Sequence, residues 1–136
     1  MYKRQVKLRE CEIKHGRWGM ISSLAIPVTE LVTHKQAIHT LDNVDAISLY
    51  IFMIAVASGE FRTILLGWEN PFTNGGKYFL MKEDYQPGDA GLYLPKTFLD
   101  KDEEFMLNAE INNGRLAMIG SLGMITQELL TDKPIF

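Results

Sequence analysis

The chain writes one pattern twice. The stretch ECEIKHGRWGMISSLAIPVTELVT, residues 10–33, and the stretch NAEINNGRLAMIGSLGMITQELLT, residues 108–131, align without a gap at an offset of 98 positions. Glu12 falls on Glu110, Ile13 on Ile111, Gly16 on Gly114, Arg17 on Arg115, Met20 on Met118, Ser23 on Ser121 and Glu30 on Glu128. Each copy sets a glutamate and a glycine-arginine pair at the mouth of an apolar run. A charge left unpaired at the centre of a membrane helix costs about 2.5 to 3.5 kcal/mol on insertion scales, so four of them would rival a domain's net stability of about 5 to 15 kcal/mol. The fold has to cancel these charges, and it has to do so twice.

Helix geometry says where the partners lie. At about 100° per residue, Glu12 and Arg17 stand about 140° apart and do not face each other on one helix. The repeat supplies the partners: Arg17 reaches Glu110 and Arg115 reaches Glu12. One apolar segment stands between the copies, so the two helices cross in the same direction, and the repeat implies a pseudo-two-fold axis along the membrane normal. Gly19 with Ser23, and Ala117 with Ser121, give matching small-x-x-x-small faces for a close crossing.

Three apolar stretches, residues 18–32, 47–58 and 116–130, organise the chain. Each is shorter than the ~20 residues a bilayer core requires, and on hydropathy alone each could be a buried soluble helix. Neutralising the charges at their mouths extends them to three transmembrane helices at about 10–33, 44–66 and 103–130. The expected fold is an all-α membrane protein of one domain, residues 1–136, with helices 1 and 3 a crossed pseudo-two-fold pair. A long connection, about 67–102, holds the turn-forming NPFTNGG and YQPGDAG. Connections of that length usually bind something. Asp100 or Asp102 is expected to cap the third helix, with Glu103 and Glu104 at its positive end.

Composition closes off other classes. A chain of 136 residues has room for one compact unit. Its 14 basic and 17 acidic residues give a net charge of -3, which argues against nucleic-acid binding through phosphate neutralisation. Cys11 is the single cysteine, so neither an intrachain disulfide nor a cysteine zinc site can form. The basic start MYKRQVKLRE is followed by no short apolar core and cleavage site, so no cleavable targeting segment is read there. Residues 1–5 are given no functional weight.

The residues resemble the light-harvesting chlorophyll a/b-binding superfamily of oxygenic photosynthesis. Its first and third helices carry a glutamate, a histidine or asparagine three residues later, then glycine-arginine and a methionine. Here those are Glu12, His15, Gly16, Arg17 and Met20, and Glu110, Asn113, Gly114, Arg115 and Met118. YQPGDAGLYLPKTF is similar to the family's glycine-rich approach to the third helix, and AEINNGRLAMIG is most similar to the red-lineage branches, the red-algal and fucoxanthin-type proteins and their relatives. The resemblance implies an antenna in the chloroplast thylakoid membrane, multi-pass, with the amino end and long loop on the stromal face. Its cofactors would be chlorophyll a, with a second chlorophyll type open, and carotenoids in the grooves beside the crossed helices. Its partners would be a photosystem core, photosystem I preferred, neighbouring antenna subunits and thylakoid lipids.

Chemistry agrees with that implication. Chlorophyll magnesium takes four macrocycle nitrogens and wants one axial ligand, a compact oxygen or an imidazole nitrogen. Glu12 and Glu110 serve, each with its charge cancelled by the opposite arginine, and His15 and Asn113 offer neutral ligands. Gln127 breaks the repeat, since its counterpart is Thr29. It lies 14 residues beyond Asn113, within about 40° of the same face and about 21 Å further along. The family has a chlorophyll-binding glutamine there, so Gln127 is expected to ligate magnesium in the opposite leaflet; the plainer reading is a polar helix end. Glu60 is either a ligand on the second helix or a helix-end charge.

Plainer roles compete elsewhere. His34 and His39 fit a solvated loop better than a ligand set, and Met20 and Met118 fit packing. Glu12 and His15 also form a Glu-x-x-His pair of the kind that holds di-iron in carboxylate helical enzymes. That reading needs a second such pair, and the second copy has Asn113. A photoprotective or assembly member of the same superfamily is the nearer alternative. In neither form of the superfamily is the protein expected to be an enzyme.

Overall fold

The structure, a computed structural model, describes residues 2–73, 75–76, 78, 80–91 and 103–135. In chain order it has α1 (Tyr2–Thr33), a 3-10 helix (Ala37–Asn43), α2 (Ala46–Gly67) and α3 (Glu103–Thr131). Among the described residues no strand forms, and Trp68 and Met81 make an isolated antiparallel bridge. The expected helix caps Asp100 and Asp102, and residues 92–98 of the approach to α3, lie outside the described residues.

α1 begins well before residue 10. Residues 2–9, YKRQVKLR, contain no glycine or proline and are rich in good helix formers, so nothing stops the helix from running back through them. α2 starts at Ala46 because Asp45 caps it, its extended backbone letting the carboxylate accept the Ser48 N–H at 3.0 Å and the Ser48 hydroxyl at 2.7 Å. Those two bonds hold the Asp45 carboxyl below its ordinary value. The turn after α1, expected as a polar loop, closes largely as the 3-10 helix.

α1 and α3 pack against each other along their length. The crossing is set by glycine: a Cβ on Gly114 would lie 2.9 Å from the Gly16 Cα, and one on Gly19 would lie 2.8 Å from the Met118 Cγ. Ile13 and Ile111, the paired residues one turn before, are buried there. The helices end alike as well. His34 and Asp132, again 98 positions apart, both take left-handed backbone (φ 54° and 49°) and return their N–H to the Glu30 and Glu128 carbonyls at 2.8 and 3.0 Å. These are left-handed C-terminal caps built without glycine.

α2 stands apart. Its most apolar stretch has no residue buried by the rest of the chain. What ties it to α1 is polar and lies near its C-terminal end, where Lys14 Nζ donates to Glu60 Oε2 at 2.6 Å and to Thr63 Oγ1 at 2.8 Å. Lys82 Nζ closes that end, donating to the Leu65 and Leu66 carbonyls at 3.0 and 2.9 Å. Among the described residues α2 is the one helix long and apolar enough to cross a membrane by composition alone. α1 (32 residues) and α3 (29 residues), about 48 and 44 Å long, exceed the ~30 Å hydrocarbon core but carry the charges of the repeat.

Candidate functional site

The glycine contact brings the two copies close enough for their charges to meet. Arg17 Nε donates to Glu110 Oε1 at 2.6 Å, and Arg115 Nε donates to Glu12 Oε1 at 2.6 Å. Each arginine engages one carboxylate oxygen. The second oxygen of Glu110 takes no hydrogen bond among the described residues, and that of Glu12 has Arg9 Nη1 3.9 Å away. Each pair is therefore a neutralised carboxylate with a hard oxygen lone pair to spare, the type of donor that magnesium prefers.

His15 is prepared in a different way. Its Nδ1 lies 2.7 Å from the Cys11 carbonyl oxygen, which can only accept, so neutral His15 carries its proton on Nδ1 and presents a bare Nε2 lone pair. A carbonyl that accepts from the other ring nitrogen in this way is the usual support of a metal-binding imidazole. His15 stands at the rim of a groove of about 430 Å³ over the crossing, lined also by Trp18, Gly19, Ser22, Met118 and Ser121. Asn113 and Gln127 are exposed on α3, and their amides make no hydrogen bond among the described residues.

The remaining candidates are engaged elsewhere. Glu60 is held by Lys14, and this contact acts as an interhelix clamp. His34 serves as the left-handed cap of α1, and His39 Nδ1 lies 3.3 Å from Asp42 Oδ2. Among the described residues no three His, Cys, Asp or Glu side chains converge to hold a bare metal ion. The donors stand singly, each able to supply one axial bond, which suits a metal whose other ligands come from a macrocycle.

Two groups of functional interest escaped the sequence reading. Glu10 is 6% exposed and accepts the Tyr85 hydroxyl at 3.2 Å and the Gly88 N–H at 2.7 Å. The signal was present but weak: Glu10 is one of several positions where the two copies differ, its counterpart being Asn108. At the far end of the crossing Glu30 and Glu128 are 2% and 0% exposed. Each accepts the N–H of a residue that follows the other helix, Ile135 at 2.9 Å and Ile38 at 3.1 Å. The repeat showed this pair, but burial gives it its meaning as a second reciprocal junction. About 27 Å of helix separates it from the Glu12 level, close to one hydrocarbon thickness.

The chain is similar to known proteins. The profile of the family described as "Chlorophyll A-B binding protein" matches residues 3–129. The chain is 33% identical over 143 residues to light-harvesting complex stress-related protein 3.2 of Chlamydomonas reinhardtii, covering 94% of this chain and 54% of that protein. It is 36% identical over 138 residues to the fucoxanthin-chlorophyll a-c binding protein of Isochrysis galbana, covering 92% and 64%. Similarity to the chlorophyll a-b binding protein CP29 of Chlamydomonas reinhardtii is 31% over 132 residues, covering 92% and 46%. The chain thus spans about half the length of the relatives it matches.

Proposed function

The chain belongs to the chlorophyll A-B binding protein family, and we propose on that footing that it is a thylakoid antenna which binds chlorophyll and carotenoid, collects light and passes excitation to a photosystem. The observation that carries this reading is α2, an apolar helix whose most apolar stretch the rest of the chain leaves uncovered. In the bilayer, where lipid tails remove the hydrophobic drive, apolar pigment filling the space between α2 and the α1/α3 pair supplies the van der Waals packing that the chain itself does not.

Glu12, Glu110, His15, Asn113 and Gln127 are the axial ligands in this proposal, each contributing one oxygen or nitrogen to a chlorophyll magnesium. Bound chlorophyll supplies the absorption and the excited state. The chain's own residues hold, space and orient the rings, and no bond is made or broken. Carotenoid is assigned to the grooves over the α1/α3 crossing, where small residues leave room.

All three helices cross the membrane in this reading, α1 and α3 because reciprocal pairing removes the cost of their charges. In this reading the amino end and the 67–102 connection face the stroma, a side that the basic Lys7 and Arg9 fit by the positive-inside tendency. Protease added to intact thylakoids should cut that connection and spare residues 34–43; cleavage only after rupture reverses the orientation. The preferred partner is photosystem I, by the likeness of AEINNGRLAMIG to red-lineage antennae, and co-purification with photosystem II alone would overturn it.

An absorption spectrum of the purified protein followed by pigment extraction tests the central claim, and a protein free of chlorophyll bands refutes it. A photoprotective role is the second reading, favoured by the stress-related relatives. The two part on fluorescence lifetime: an antenna keeps a long lifetime in acid, and a quencher shortens it.

A further inference from the structure

The two halves of the repeat are not equally supported. Arg115 is 54% exposed at its side chain and is shown bonded to Glu12 alone. Arg17 is 37% exposed and makes two bonds, Nε to Glu110 and Nη2 to the Gly88 carbonyl at 2.7 Å. That carbonyl belongs to the connection before α3, and what holds the connection there is Glu10. Its carboxylate accepts the Gly88 N–H at 2.7 Å and the Tyr85 hydroxyl, which lies 3.2 Å from both of its oxygens, while Lys14 Nζ stands 3.8 Å away.

The fit around Gly88 is close. Its φ of +90° is one that other residues rarely adopt, and a Cβ there would lie 3.1 Å from Ile13 Cδ1 and 3.3 Å from Arg17 Nη2. Tyr85 in turn packs its ring on Gly67 at the end of α2, where a Cβ would lie 2.9 Å from the ring. The segment therefore touches α1 and α2 directly and α3 through Arg17. With Gln86, Pro87, Gly88 and Asp89 it walls a cavity of about 270 Å³ that opens on Arg17 and Glu110.

We propose that Glu10 is a positioning residue for the pigment site at Glu110: it holds the Tyr85–Gly88 segment so that the Gly88 carbonyl fixes the Arg17 guanidinium, which fixes the Glu110 carboxylate. The site at Glu12 lacks this support, because the residue that would provide it by symmetry is Asn108, which is exposed. The inference rests on the ligand role proposed for Glu110.

Reconstitution with a chlorophyll and carotenoid extract tests it, reading chlorophyll per polypeptide and the red absorption band lost in each variant. Glu110→Ala and Glu12→Ala first identify the two bands. Glu10→Ala is expected to lose or shift the Glu110 band and keep the Glu12 band, and Glu10→Gln, which can still accept the Gly88 N–H, to restore it. A Glu110→Ala protein with all its chlorophyll overturns the ligand role and this inference together. A Glu10→Ala protein with an unchanged Glu110 band, or with both bands lost alike, overturns the inference alone. If Glu10→Ala does not assemble, Tyr85→Phe decides: a shift confined to the Glu110 band supports the positioning role, and an unshifted band ends it.

Discussion

At the scale of single residues the reciprocal pairs differ in what they would cost to break. A buried pair loses about 3 to 5 kcal/mol when one member is removed. An exposed pair is worth at most about 1 kcal/mol. Arg17, with its second bond to Gly88, lies toward the first limit and Arg115 toward the second. Arg17→Leu should therefore destabilise the reconstituted protein more than Arg115→Leu, and thermal loss of pigment circular dichroism measures both. Tyr85 provides a test by pH. Burial, and then the Glu10 carboxylate, push its phenol well above the ordinary range. A raised phenol favours the folded state at all pH below the unfolded value of about 10, and that contribution is lost as pH rises beyond it. Phenolate absorbance of native protein and of Tyr85→Phe should superimpose near pH 10; a deficit in the variant would mean that Tyr85 titrates normally.

At the scale of elements the crossing depends on two glycines whose backbones touch. Gly114→Ala gains up to about 1 kcal/mol of helix propensity, but its Cβ meets backbone that cannot rotate away, and overpacking costs about 1 to 3 kcal/mol. Net destabilisation is expected. Gly59→Ala in α2, with nothing within 4 Å, should gain the propensity without the clash. Parallel melts of the two variants separate a crossing set by contact from one set by propensity. Further along α3, Gln127→Leu should fold, keep both ion pairs and lose one chlorophyll, whereas Thr29→Leu loses none. Thr29 already spends its hydroxyl on the Ala25 carbonyl at 2.6 Å, while the Gln127 amide is exposed. Equal chlorophyll content in both variants would make Gln127 a polar helix end.

At the scale of the molecule, the α1/α3 pair packs on itself and α2 is clamped near one end. Removing pigment should therefore leave the crossing in place while the far end of α2 swings free. Spin labels at Ser48 and at Thr33 would report a broadened distance on pigment extraction, and labels at Ser23 and Ser121 an unchanged one. An α2 that keeps a sharp distance without pigment would show that protein contacts alone hold it.

The sequence by itself determined the crossed pair. Charge at the mouth of an apolar run must be cancelled, helix angles forbid cancellation within one copy, and the repeat leaves the other copy as the partner. The resemblance to a known family singled out His15, Asn113 and Gln127 as the proposed ligands. Tertiary structure decided what has no period. Glu10 finds Tyr85 and Gly88 across 75 and 78 positions of chain, through a connection whose path no local rule predicts. Glu60 meets Lys14 because of how α2 is placed, and the 3-10 helix forms where Glu128 accepts the Ile38 N–H. A repeat encodes contacts between its own copies, whereas the contacts that make the copies unequal come from residues outside it, and only the folded chain brings those together.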